Sequence, residues 1–329
     1  MKALLKILIP AGAAVALILD SSAACAGATE GVQLCLRMVV PALFPFLYLS
    51  LVISTGLNFF RLRIFDPVAR LCRIPPGSGE LLMLGFLGGY PSGAQCVSLA
   101  HEKGHLSSDA ARRMLVICSN CGPAFIFGLL GPSFADSGMG WKIWLVCILG
   151  AVITGTLLPG GGGSLRIGSS SESEGAVRLM DRAIRSMARI CAWIIIFRVV
   201  MSFADRWFLW RFQGWMQVLI CGLTELTNGC INLGRIADDG LRFVLSCGML
   251  SFGGLCVTMQ TLSVIHPDLD RKLYFPGKVL HGCISTSLSC IFFPVYWKIG
   301  VISLSFAILL VVYLGKIVKS SRFSQKIGV

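Results

Sequence analysis

Four short stretches of this chain combine helix-breaking residues with uncharged hydrogen-bonding side chains. They are Gly85-Phe86-Leu87-Gly88-Gly89-Tyr90-Pro91-Ser92-Gly93-Ala94-Gln95, Ser119-Asn120-Cys121-Gly122-Pro123-Ala124-Phe125, Glu225-Leu226-Thr227-Asn228-Gly229 and Ser251-Phe252-Gly253-Gly254, with Gln260 beyond the last. Glycine lets a solute approach the backbone, and proline removes a backbone donor. The N–H groups freed where a half-helix starts favour anionic groups. Small residues also serve close helix packing, but four such clusters point to a solute site. The candidate binding residues are Gly89, Tyr90, Pro91, Ser92, Gly93, Gln95, Ser119, Asn120, Gly122, Pro123, Glu225, Thr227, Asn228, Gly229, Ser251, Gly253 and Gly254. Amides near Gly89, Ser92, Gly122 and Gly253 would receive carboxylates, and Asn120 and Asn228 would orient the solute.

Glu225 is the only acidic residue between Asp205 and Asp238, and it sits in an apolar, glycine-broken run. Burying a carboxylate without partners is costly. It must therefore be hydrogen-bonded or protonated, with Thr224, Thr227 and Asn228, or freed backbone N–H groups, as nearby donors. An ionised Glu225 repels an anion. For a dicarboxylate solute it would have to hold a coupling cation or a proton; the alternative role is a brace within a hairpin.

Three other patterns resemble motifs that carry chemistry. His101-Glu102-Lys103-Gly104-His105 matches the HExxH pattern of zinc proteases, which needs both histidines on one helical face. Gly104 and the cap-like Leu106-Ser107-Ser108-Asp109 read instead as a turn and a new helix start. Cys118-Ser-Asn-Cys121 has redox spacing but no βαβ surroundings. Gly160 to Gly163 lacks the Lys-Ser/Thr of a phosphate loop. No enzyme activity, metal or cofactor is expected, and a coupling ion stays unassigned.

The elements that must position these residues are apolar. Hydrophobic residues make up 55% of the 329 and charged residues 14%, against roughly a quarter charged in soluble domains. The net charge of +13 does not indicate a nucleic-acid partner, because the basic residues lie in short gaps between apolar runs. The fourteen cysteines are scattered through those runs and read as reduced packing residues. Apolar segments fall near 32–56, 79–100, 114–134, 143–158, 190–204, 212–233, 243–265, 276–294 and 299–315. Ahead of them, Met1 to Gly27 reads as a retained first helix. The Ser22 to Gly27 stretch also resembles a signal cleavage region.

Segments 79–100 and 212–233 are interrupted and read as re-entrant hairpins, since irregular backbone at membrane depth must be buried or line a wet cavity. With the N-terminus inside, 21 Lys/Arg fall on the inner side and 6 on the outer side, which satisfies the positive-inside rule. The inner set includes Arg113 and Lys278, the outer set Arg242. Arg37 and Arg198 fall within spans, each near the outer end of the opening span of its repeat. Each hairpin is then preceded by one span and followed by two, in opposite orientations, which is an inverted repeat. Arg178, Arg182, Arg185 and Arg189 share one helical face, with Val177, Met180, Ile184 and Met187 opposite. They predict an amphipathic helix on the inner surface, facing anionic headgroups.

At these motifs the chain resembles the YlbJ/SpoVV family of sporulation membrane proteins, which carry a nucleoside-recognition or Gate domain. The GGYPSGAQ stretch resembles that family's glycine-tyrosine-proline-glycine motif. Leu106 to Arg113 matches its acidic/basic turn, SNCGPAFIFG resembles its Asn-x-Gly-Pro motif, and ELTNG and SFGG resemble its second-repeat motifs. The similarity runs from about Gly31 to Pro294. It implies a relation to concentrative nucleoside transporters and to the gate domains of ferrous-iron transporters. A member of the family is implicated in passing dipicolinic acid across a forespore membrane, and in related nucleoside carriers a glutamate at a motif like that of Glu225 contacts ligand hydroxyls. This chain departs from the pattern at Gln95, where a Lys is common, at Cys121, where a small polar residue is common, and in its shorter length.

The expected architecture is all-α: a polytopic inner-membrane protein of about eight spanning helices and two re-entrant hairpins. The expected divisions are 1–30, an N-terminal helix; 31–160, the first repeat; 161–189, a glycine linker and basic helix; 190–294, the second repeat; and 295–329, a terminal helix and basic tail. Both termini are expected in the cytoplasm. The expected function is transport or gating of a small polar, anionic metabolite, dipicolinate-like or nucleoside-like, in sporulation. A non-transporting gate subunit is the alternative. The expected partners are the solute, anionic lipid and, in a homo-oligomer, further copies of the chain.

Overall fold

In a bilayer every backbone N–H and C=O must be satisfied within the protein, which leaves helices or closed barrels. The computed structural model describes residues 2–55, 62–165, 175–212 and 214–327. Among them all regular structure is helical, apart from an isolated bridge between Leu106 and Leu165. Arg61 and Arg166 of the charge tally, and 166–174 of the expected linker, lie outside the described residues.

Helix α1 (Lys2–Leu19) precedes α2 (Ser21–Leu34), which Asp20 caps by accepting the Ala23 N–H at 3.3 Å. A π-helical turn, Cys35–Val39, carries α2 into α3 (Val40–Thr55). The opening helix of the expected first repeat therefore starts ahead of residue 31. After the short α4 (Asp66–Leu71) come two interrupted pairs, α5 (Gly79–Leu87) with α6 (Ser92–Glu102), and α7 (Ser108–Ile117) with α8 (Pro123–Phe125) and its π-helical continuation Ile126–Leu130. Helix α9 (Met139–Leu157) closes this half. The second half has the same order: long α10 (Ala176–Trp207), the pair α11 (Trp215–Thr224) and α12 (Leu226–Leu233), the pair α13 (Asp239–Phe252) and α14 (Gly254–Val264), then α15 (Tyr274–Ser289). Helix α16 (Trp297–Ile327) follows.

Among the described residues five helical stretches are long and apolar enough to cross a membrane: Ser21–Ile53, Met139–Leu157, Ala176–Trp207, Asp239–Val264 and Pro294–Lys316. Large apolar side chains such as Ile291, Ile302 and Leu309 point outward, as expected where the surroundings are lipid tails. Between helices the packing depends on small residues. A Cβ at Gly27 would stand 2.8 Å from the Arg198 carbonyl oxygen, and one at Gly31 would stand 2.8 Å from the Ile195 Cα. This Gly-x-x-x-Gly face lets α2 lie directly on α10. Arg198–Glu30 (3.0 Å), Arg206–Asp20 (3.1 Å) and the Ser202 hydroxyl on the Ala23 carbonyl (2.8 Å) extend the same seam.

Several charge assignments are corrected by this packing. The basic stretch 178–189 is no separate surface helix. It is continuous with the following span in the 32-residue α10. Leu179, Ala183 and Met187 of this stretch are buried, whereas Val177 and Ile184 are exposed. Arg198 is paired with Glu30, and Arg37 lies mid-way along the α2–α3 rod, in the π-helical turn. Three cations counted as loop charges are buried: Arg113 and Lys278 from the inner set, Arg242 from the outer.

Arg113 donates to the carbonyls of Cys72 (2.8 Å), Gly155 (2.7 Å), Leu158 (2.9 Å), Pro159 (3.1 Å) and Gly160 (3.0 Å). A cation here meets the negative end of α9 and its unpaired carbonyls. Arg242 plays a comparable part at the other end of the molecule. It donates to the Ile236 and Ser133 carbonyls and pairs with Asp239 at 2.8 Å.

Candidate functional site

The four motifs are where the helices break. Residues 88–91 separate α5 from α6, 118–122 separate α7 from α8, Glu225 separates α11 from α12, and Gly253 separates α13 from α14. Gly89, Gly253 and Gly254 adopt φ of +72°, +89° and +78°, which side-chain-bearing residues rarely adopt. Glycine therefore permits the breaks after α5 and after α13.

Two of the breaks reverse the chain. A Cβ at Gly93 would meet the Gly85 Cα at 2.7 Å, so α5 and α6 lie back to back as a hairpin. Gly85 in turn abuts Cys118, with a virtual Cβ–Cα distance of 2.6 Å. In the second half a Cβ at Gly229 would stand 2.6 Å from the Gly222 nitrogen, and Gly222 abuts the Met249 sulfur at the same distance. Both interrupted segments are hairpins with a glycine pair at the crossing. Each crossing rests on the helix that breaks next along the chain.

The breaks converge. Gly89 and Gly122 touch backbone to backbone, with a Cβ at Gly122 standing 3.0 Å from the Gly89 Cα. The Tyr90 hydroxyl donates to the Leu250 and Ser251 carbonyls, each at 3.2 Å. A Cβ at Gly254 would stand 2.9 Å from the Gly222 carbonyl oxygen. A cavity of about 240 Å³ opens beside this junction. It is lined by Gly89, Tyr90, Gly122, Glu225 and Thr227 of the candidate residues, with Gln260 and apolar side chains of α3 and α8 around them. A larger groove of about 810 Å³ lies between α11, α13, α15 and α16, but its lining is almost wholly apolar and it touches none of the break residues.

Glu225 is buried, and it caps α12. One carboxylate oxygen accepts the Thr227 N–H at 3.0 Å and the other accepts the Asn228 N–H at 2.7 Å. The acid sits at the positive end of a short helix, where backbone donors would otherwise be orphaned. The donors are backbone groups; the Thr224 hydroxyl instead donates back to the Ile220 carbonyl. Each Glu225 oxygen retains a further lone pair, and the residue lines the cavity.

The other candidates lie around the junction rather than in the cavity lining. Ser92 donates to the Gly88 carbonyl and Ser119 to the Leu115 carbonyl, so both stabilise the broken ends of their own segments. Pro123 occupies the first turn of α8, where its missing N–H costs nothing. The Asn120 amide donates to the Ile117 carbonyl, while its Oδ1 is buried without a partner. Gln95 donates to Ser186 on α10 and likewise leaves its Oε1 unpartnered. Asn228 accepts from Asn232 at 3.4 Å, and Ser251 donates to Ser285. Pro91 follows Tyr90 through a cis peptide. Gly93 and Gly229 are the packing glycines of the two hairpins.

Sequence reasoning missed Lys278. It is fully buried on α15, and its ammonium donates to the Ser119 carbonyl at 2.5 Å and to His281 Nδ1 at 2.9 Å. It also lies 5.0 Å from the centre of the Tyr90 ring, within cation–π range. His281 Nε2 faces the Cys147 carbonyl at 2.9 Å. A carbonyl only accepts, so Nε2 carries the proton and Nδ1 is free to accept from Lys278. The available signal was the spacing of Lys278, His281, Ser285 and Ser289, which places four polar side chains in one stripe along the helix.

The HExxH geometry is not formed. Helix α6 ends at Glu102 and Gly104 turns at φ +73°, so His101 and His105 do not share a helical face. His101 Nδ1 faces the Leu106 carbonyl at 2.9 Å, and Glu102 pairs with Arg182 at 3.0 Å. Among the described residues no group of three His, Cys, Asp or Glu side chains is placed to hold a metal. Cys118 and Cys121 are both buried and free.

The long apolar helices, the outward-facing hydrophobic surface and the buried broken segments define an all-helical integral membrane protein. Among curated proteins the chain is similar to the sporulation integral membrane protein YlbJ of Bacillus subtilis (strain 168). The two are 23% identical over 315 residues, covering 82% of this chain and 76% of the relative. That similarity supports the YlbJ-like kinship suggested by the motifs. No family model matches the chain, and no solved structure matches it significantly.

Proposed function

We propose that this protein moves or gates a small polar solute across the membrane through the cavity beside the four helix breaks. One observation carries the reading: breaks far apart in sequence meet at one junction, and Glu225, Thr227 and Gln260 face the cavity there. Broken helices meeting inside a membrane protein expose backbone groups that a solute can use. The inverted repeat belongs to this reading and is supported by the matching order of elements in the two halves, with glycine-paired hairpins in each. The division into repeats 31–160 and 190–294, the count of about eight spans and the cytoplasmic placement of both termini remain part of the proposal. The loop charges that set orientation still favour the inner side once Arg113, Lys278 and Arg242 are set aside.

Among the described residues Glu225 is the one carboxylate in the cavity lining. Its spare lone pairs accept, so a solute bearing hydroxyl or amine donors, such as a nucleoside, fits better than a dicarboxylate, which Glu225 would repel. The relative's name ties it to sporulation, and we carry that setting over as part of the proposal. The test is flux into proteoliposomes of purified protein, using a panel of nucleosides and pyridine or aliphatic dicarboxylates. Uptake of a nucleoside above empty liposomes is expected. Uptake of dicarboxylates alone would reverse the assignment of solute class.

A further inference from the structure

Lys278 raises a question that its place in the fold answers. A fully buried ammonium in an apolar bundle ordinarily has an acidic partner. Among the described residues no carboxylate pairs with Lys278; its partners are the Ser119 carbonyl, the neutral His281 ring and the face of Tyr90. It does not line the cavity, from which the Tyr90 ring separates it. The Ser119 carbonyl belongs to the unwound stretch just after the C-terminal end of α7. The carbonyl end of a helix carries negative partial charge, and unwound carbonyls at such half-helix ends coordinate free cations in broken-helix transporters. Here a side-chain ammonium takes that place.

The rest of the cluster is built around it. His281 is held in the accepting tautomer by the Cys147 carbonyl. Gly150 leaves room for α15 to come close, since a Cβ there would stand 3.3 Å from His281 Nε2. Tyr90, against which the ammonium rests, reaches on to the break after α13. One cation thus touches the breaks after α5 and α7 and, through Tyr90, the break after α13.

We propose that the Lys278 ammonium is a tethered cation that fills a monovalent-cation site at the broken end of α7, so that this junction forms without bound Na⁺ or K⁺. Removing the ammonium converts the position into a site for a free small cation. The inference takes its functional meaning from the solute-path reading, but its test uses no solute and so fails or succeeds separately.

The test is thermal unfolding in lipid nanodiscs, with choline, Na⁺, K⁺ or methylammonium as the only monovalent cation at constant ionic strength. The wild-type midpoint is expected to stay unchanged when choline is replaced. Lys278→Ala is expected to unfold several degrees lower in choline and to recover saturably in methylammonium or Na⁺, since a ligand that binds only the folded state raises its stability. Equal midpoints of Lys278→Ala in all four cations would overturn the proposal. If that variant does not fold in any of them, the wild type decides: a saturable rise in its midpoint with Na⁺ or K⁺ would show a free-cation requirement that a tethered cation excludes, whereas indifference up to saturating salt would uphold the proposal.

Discussion

The Tyr90 hydroxyl donates to the Ser251 carbonyl across 3.2 Å, tying the break that follows α5 to the break that follows α13. Tyr90→Phe keeps the ring against Lys278 and removes the hydroxyl that the Leu250 and Ser251 carbonyls share. A buried hydrogen bond contributes about 1 kcal/mol net. The variant should therefore unfold a few degrees below wild type in nanodiscs, with its helical circular dichroism unchanged.

Glu225 should separate a capping role from a solute role. Glu225→Ala removes both bonds to the start of α12 and should cost about 1–2 kcal/mol, as for a lost N-cap. Glu225→Gln keeps one carbonyl oxygen and should cost less. If Glu225 only braces the hairpin, solute flux will follow stability through this series. Under our reading flux falls much further in Glu225→Gln than its small loss of thermal midpoint would explain.

The first hairpin depends on Gly85, where a Cβ would stand 2.6 Å from the Cys118 Cα. Gly85→Ala should destabilise by about 1–3 kcal/mol, the usual cost of overpacking. Gly12→Ala is the control, because a Cβ there meets nothing within 4 Å; relief of the glycine penalty in a helix should leave it neutral or slightly stabilised. Denaturation midpoints of the two variants measure the contrast.

Arg113 holds four carbonyls at the end of α9 and the turn after it, and the Cys72 carbonyl at the end of α4. Arg113→Met should leave several of them buried and unpaired, at a cost of about 3 kcal/mol or more. Accumulation in membranes should drop sharply, as read by fluorescence-detected size exclusion.

The cap of α13 has a pH dependence of defined sign. The Tyr296 hydroxyl and the Leu241 N–H hold the Asp238 carboxyl below its ordinary range. A depressed carboxyl contributes stability that is present above its ordinary pKa and lost as pH falls through the folded value. The wild-type midpoint should fall on acidification through that window, and Asp238→Asn should show a shallower fall.

The sequence made the breaks legible because glycine, proline and a lone acid act locally: residues 88–91, 118–122, Glu225 and Gly253 interrupt helices where their types imply. The hairpins followed from the same local rule. Lys278 was hidden because it follows Arg271 and Lys272 at the edge of an apolar run, where a lysine reads as a flank to the membrane. Only three-dimensional packing brings Ser119, His281 and Tyr90 to its ammonium. The basic stretch of α10 was misread for a related reason. Its arginines share a face, but the side it buries, Leu179, Ala183 and Met187, is decided by Leu47 of α3, Leu99 of α6 and Cys256 of α14, all remote in sequence.

Filling the cavity tests the central claim most directly. Gly128 lines it, and a Cβ at that position meets nothing within 4 Å, so Gly128→Leu should occupy the space without disturbing the fold. In proteoliposomes offered the nucleoside and dicarboxylate panel, the account predicts uptake by the wild type and its loss in Gly128→Leu at an unchanged thermal midpoint. Wild-type uptake no greater than that of empty liposomes across the panel, or full uptake by a correctly folded Gly128→Leu, would contradict it.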